Sequence, residues 1–160
     1  MFIRRTLAVL ATAAALTLVG AGAASAGNAH FIANATTASA SGTSLVVKFK
    51  EAGLASGSTE TITASAHLEA TYSCVNNGNK VPSDPKKTTI STDVSESGEF
   101  TAGKNGNVSD SLTLSPPSAA SVLDCPNGQR ATLVSGTWSD VSITDHDSGA
   151  FLAISGSFSF

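Results

Sequence analysis

The chain lacks most of what recognisable active sites are made from. Its 160 residues include two cysteines, three histidines, one methionine, one tryptophan and one tyrosine, and only 13% carry a formal charge. The cysteines are not spaced C-x-x-C and have no basic neighbour to stabilise a thiolate, which argues against a reactive thiol pair. Serine is abundant, yet there is no G-x-S-x-G elbow, no phosphate loop and no metal-ligand motif. Lysine and arginine total nine against twelve acidic residues. With no basic cluster among them, nucleic acid is excluded as a partner, because phosphate binding depends on clustered positive charge. No cofactor is implied, and no catalytic or metal-binding residue can be assigned from the sequence.

What is present begins with the first 26 residues. Arg4 and Arg5 precede an apolar run from Leu7 to Val19, and Ala24-Ser25-Ala26 supplies the small-x-small pattern of a signal-peptidase site. Residues 1–26 are therefore expected to be a secretory signal and residues 27–160 a single domain outside the cytoplasm. Ala8 departs from the twin-arginine pattern, which favours general secretion. Beyond residue 26 no apolar stretch is long enough to span a bilayer, and no cysteine sits at the cleavage site to take a lipid anchor. The secreted part would carry seven basic and twelve acidic residues.

Period-two alternation dominates that part. From Thr61 to Cys74 the even positions Ile62, Ala64, Ala66, Leu68, Ala70, Tyr72 and Cys74 form an apolar face, and Thr63, Ser65, His67, Glu69, Thr71 and Ser73 form a polar one. Such a strand belongs to an antiparallel sheet covered on one side. Leu45, Val47 and Phe49 begin a shorter strand ending near Glu51. Ile90, Thr92 and Val94 suggest another, as do Val108, Leu112 and Leu114. Leu133, Val141 and Ile143 share odd parity along a late strand that Trp138 breaks, so Gly136 is expected to mark a bulge turning the indole inward. Leu152, Ile154, Phe158 and Phe160 share one side of the last segment. Ser41-Gly42, Ser56-Gly57, Asn77-Gly78, Asn105-Gly106, Asn127-Gly128 and Ser148-Gly149 supply turns between the runs. No amphipathic helix is evident. The fold expected is all-β: an immunoglobulin-like antiparallel β-sandwich of about seven strands.

Aromatics are few, so the core should be thin and a cross-link valuable. Cys74 and Cys125 are the only candidates for a disulfide in an oxidising compartment. Closing that loop would contribute about 4 kcal/mol on the loop-entropy account.

Asp140, Asp145, His146 and Asp147 form the densest ionisable group. Asp145-His146-Asp147-Ser148-Gly149 is expected to be a hairpin connection, because Asp145 and Asp147 alone offer too few oxygens for a calcium loop. His67 and Glu69 are expected as solvated neighbours on an outward face. Asp110 shares parity with Val108 and Leu112, and is expected at a strand end or beside a bulge where water reaches it.

The run Gly42-Thr43-Ser44-Leu45-Val46-Val47-Lys48-Phe49, with Ala52-Gly53-Leu54-Ala55 and Asn107-Val108-Ser109-Asp110-Ser111-Leu112-Thr113-Leu114, resembles strands of the neocarzinostatin-type apoproteins. That resemblance implies a small secreted sandwich able to carry a chromophore in a cleft, although those proteins have two disulfides and this chain has two cysteines. Phe49-Lys50-Glu51-Ala52-Gly53-Leu54, Tyr72-Ser73-Cys74-Val75-Asn76-Asn77-Gly78 and Cys125-Pro126-Asn127-Gly128-Gln129 resemble a group of small exported proteins of high-GC Gram-positive bacteria. This second resemblance covers most of the secreted part and implies compartment and fold. The resulting expectation is a secreted, non-catalytic binding or envelope-associated module, whose partner would be a cell-wall component, a protein or a small-molecule ligand. The loops Asn76 to Lys87 and Pro116 to Gln129 are its expected contact surface. A small-molecule carrier and a hydrolase are the alternatives.

Overall fold

The computed structural model describes residues 28–160, so the expected signal at residues 1–26 lies outside the described residues. Nine strands form two antiparallel sheets. The first sheet holds β1 (His30–Phe31), β2 (Thr37–Ser41), β3 (Ser44–Ala52) and β6 (Val108–Leu114). The second holds β4 (Thr59–Asn76), β5 (Lys87–Thr101), β7 (Gln129–Asp145), β8 (Phe151–Ile154) and β9 (Phe158–Ser159). β1 and β2 share one edge of β3, and β8 and β9 both pair with β7. Lateral positions therefore number three in one sheet and four in the other, which reconciles nine strands with the seven expected.

The alternation from Thr61 to Cys74 dictates β4 almost residue by residue. Ile62, Ala64, Leu68, Tyr72 and Cys74 are sealed from solvent, with Ala66 and Ala70 nearly so. They meet Leu45, Val47 and Phe49 from β3 and Leu112 and Leu114 from β6, so one core lies between the sheets. Small residues at Ala64, Ala66 and Ala70 leave room for Trp138, which is wholly buried and donates its indole N–H to the Thr43 carbonyl at 3.2 Å. The outward face is not wet along its whole length, because Ser73 and Val75 near the end of β4 are also buried.

The parity break in β7 has a different origin from the one expected. Thr71 and Tyr72 pair with Ser135 and Leu133, leaving Val134 as one extra residue. Ser65 and His67 pair with Ser142 and Ser139, which inserts a second near Asp140, whose φ is +50°. The first bulge moves the inward set from odd to even positions and so buries Trp138. The second restores Val141 and Ile143 to the core. Gly136 is regularly paired with Ala70, and a Cβ there would lie 2.4 Å from the Phe160 ring. Glycine at 136 makes room for that ring rather than for a bulge.

One smaller reading is also corrected. Asp110 is exposed as expected, but it sits in mid-strand opposite Phe49 instead of at an end. The segment between β6 and β7 contains one short helical turn, α1 (Ala119–Val122). No helix among the described residues is long and apolar enough to cross a membrane.

Candidate functional site

Three places on the sandwich bring polar or flexible groups together. The first is the end of β4 that carries Cys74. Cys74 and Cys125 form the disulfide, with Cα atoms 5.7 Å apart, and so tie the end of β4, where the β4–β5 loop leaves it, to the β6–β7 loop. Further bonds reinforce the junction. Lys86 donates from Nζ to the Asp124 carbonyl at 2.7 Å, and the Tyr72 hydroxyl donates to the Pro117 carbonyl at 2.8 Å. Arg130 donates to the Asn79 side chain, and the Cys74 N–H donates to the Lys86 carbonyl at 2.9 Å. Asn79 holds φ at +58°, a left-handed value that asparagine tolerates. Val81, on the same loop, is an exposed apolar side chain. Burial holds the Tyr72 phenol above its ordinary pKa, so the hydroxyl keeps its proton and its bond.

The second place is the outer face of the larger sheet. His67 sits between Asp93 Oδ1, 2.7 Å from Nδ1, and Ser91 Oγ, 2.8 Å from Nε2. In the neutral ring Nδ1–H donates to the carboxylate and Nε2 accepts from the hydroxyl, the order of partners in a hydrolase triad. Sequence order alone hid this set, because His67 and Ser91 come from different strands. Asp93 also holds the imidazole above its ordinary pKa. One feature separates the arrangement from a buried triad: Asp93 is 89% exposed, so water screens it. Thr63 with Ser97 and Thr71 with Thr89 make the same kind of cross-strand bond on either side. His67 is thus one rung of a polar ladder.

The third place lies at the opposite end of β4. The 145–149 segment is the expected hairpin connection, between β7 and β8, but Asp145 at its start is completely buried whereas His146 and Asp147 are exposed. Asp145 Oδ1 accepts the Asp147 N–H at 2.9 Å, and Asp147 Oδ2 accepts the Thr61 N–H at 2.7 Å. Ser148 Oγ lies within hydrogen-bond distance of both Asp145 Oδ2 and Glu51 Oε1. Its single proton can serve only one of them at a time. Glu51, on β3, is wholly buried, and Glu60, on β4, is nearly so and accepts from Ser58 Oγ. Burial first, and then the charge of Asp145, pushes the Glu51 carboxyl up to about 8. His146 turns away from this group, with Nε2 2.8 Å from Thr63 Oγ1. Asp140 instead lines an open hollow of about 400 Å³ with His67 and Asp93. The four residues of the expected ionisable group are therefore divided between two sites.

A separate cleft of about 330 Å³ separates the free edges of the sheets, lined by Ala33, Ala38, Leu152, Ile154 and Phe158 among others. No protein-family model matches the chain, and no curated protein matches it. Among solved structures it is similar to the solution structure of R. palustris CsgH, with 10% identity over 83% of this chain and 91% of that one. The TM-score of that pairing is 0.21, too low for any inference to rest on it.

Proposed function

We propose that this chain is an exported, non-catalytic binding module whose contact surface is the disulfide-bearing end. The observation that carries the reading is the junction around Cys74–Cys125, where the disulfide fixes the β6–β7 loop to the end of β4 and Lys86 bonds the β4–β5 loop to it through the Asp124 carbonyl. Long loops fixed by a scaffold are where binding residues concentrate, and preorganisation lowers the entropy lost on contact. A disulfide fits an oxidising compartment, in keeping with the expected signal peptide. The exposure of Asp93, whose carboxylate water screens, supports a non-catalytic role for the His67 group. The resemblance to small exported proteins of high-GC Gram-positive bacteria is part of the same reading, with a wall component as partner.

The test is co-sedimentation of the purified oxidised protein with isolated cell walls. Val81→Ser with Lys86→Ala should reduce the bound fraction severalfold, whereas His67→Ala should leave it unchanged. Equal loss in both variants, or ester hydrolysis that Ser91→Ala abolishes, would remove this reading. The apolar cleft between β2 and β8 favours a second one, a small-molecule carrier of the chromoprotein type. That cleft is at the lower limit of ligand-pocket size. A hydrophobic dye whose binding is lost in Phe158→Ser, with wall binding absent, would favour the carrier.

A further inference from the structure

The acidic end of the sandwich has an electrostatic deficit that the contact-surface reading leaves unexplained. Glu60, Asp145 and Asp147 each place a carboxylate oxygen within 4.8 Å of the others. Oxygens coordinating one calcium ion at 2.3–2.6 Å can lie at most about 5 Å apart, so the three fit around a single ion. A second, independent observation points the same way. Glu51 comes from the other sheet, is completely buried and lies against Asp145 and Ser148, yet its Oε2 has no hydrogen-bond partner. Buried charge is costly unless paired, and one ion pair, His67 with Asp93, is the only one among the described residues. No lysine, arginine or histidine thus makes an ion pair with any of these four carboxylates.

We infer that Glu60, Asp145 and Asp147 bind one calcium ion that fastens β4 to the end of β7, beside the buried Glu51 carboxyl of the other sheet. Every donor is oxygen, the set suited to a hard cation, and the one nearby imidazole is engaged by Thr63. Access is from the Asp147 side, since Asp147 alone of the four is exposed. The donors come from two strands and a turn, so the 145–149 segment on its own never holds enough of them. Affinity belongs in the range of extracellular modules, about 10⁻⁴–10⁻³ M.

The experiment is thermal unfolding and calorimetric titration of the chelator-treated, oxidised protein with calcium chloride at neutral pH, with magnesium chloride in parallel. One equivalent should bind, and Tm should rise by roughly 5–10 °C at 10 mM calcium. Asp147→Asn, an exposed change that spares the core, should weaken binding at least tenfold, and Glu60→Gln should do the same. No heat and no Tm shift in the folded wild type would overturn the site, and would leave a proton shared between Glu51 and Asp145 as what neutralises the cluster. An equal shift in Asp147→Asn, or an equal response to magnesium, would overturn it as well.

Discussion

The two ends of β4 solve one problem by opposite means. Cys74 and Glu60 lie on the same inward face, roughly 45 Å apart along the strand at 3.3 Å per residue. At the Cys74 end a covalent bond joins the sheet to a neighbouring loop, and the groups around it are neutral or hydrogen-bonded to carbonyls. At the Glu60 end the two sheets meet through four carboxyl groups and two serines, with no basic side chain paired to them. The first closure depends on redox conditions and hardly on pH. The second depends on protons or cations and is indifferent to reductant. A thin core leaves both ends important, since β4 contributes small alanines at three of its seven inward positions from Ile62 to Cys74.

The largest expected effect is at the covalent end. Cys74→Ala with Cys125→Ala should cost about 4 kcal/mol, read as a lower urea midpoint with a somewhat steeper slope, because the unfolded chain without the cross-link exposes more surface. An unchanged midpoint would show that the end is held by packing alone.

Next in size is the pH response of the acidic end, measured in chelator. Glu51 holds its proton up to about pH 8 in the folded chain but only to its ordinary 4.5 when unfolded. The folded state therefore binds more protons between those values. Its contribution to stability is complete below pH 4.5 and is lost as pH rises through 8, by a few kcal/mol in all. Asp145 and Glu60 act on it through their charge and Ser148 through its hydrogen bond. Glu51→Gln should flatten the profile, and a profile equally steep in this variant would shift the dependence to another group.

The smallest effect separates packing from hydrogen bonding beside the disulfide. Tyr72→Phe keeps the buried ring and deletes the bond to Pro117, at a cost of about 1 kcal/mol. A loss of 3 kcal/mol or more would mean that the hydroxyl fixes the whole β6–β7 loop.

The legible parts of this molecule were those governed by local periodicity. Alternation from Thr61 to Cys74 predicts β4 and its buried face, and two cysteines allow one pairing. The bulges at Val134 and Asp140 were not legible, because an extra residue is a matter of backbone register that either neighbour could absorb. Burial of Glu51 and Glu60 was within reach. Glu51 continues the inward parity of Leu45, Val47 and Phe49, and Glu60 precedes Ile62 on the same face. An acidic residue beside an apolar run reads as the point where a strand leaves the core, and that assumption hid them. No sequence window joins positions 51, 60 and 145–148, since pairing of β4 with β7 joins the last two and the packing of the two sheets brings Glu51 to them.

Amide hydrogen exchange on the calcium-loaded, oxidised protein tests the two-closure account most directly. Chelation should speed exchange at Thr61 and Asp147, whose N–H groups bond to the acidic cluster, and leave Cys74 and Asn76 protected. Reduction should do the reverse. Loss of protection at both ends under either treatment, or none at Thr61 and Asp147 on chelation, would contradict it.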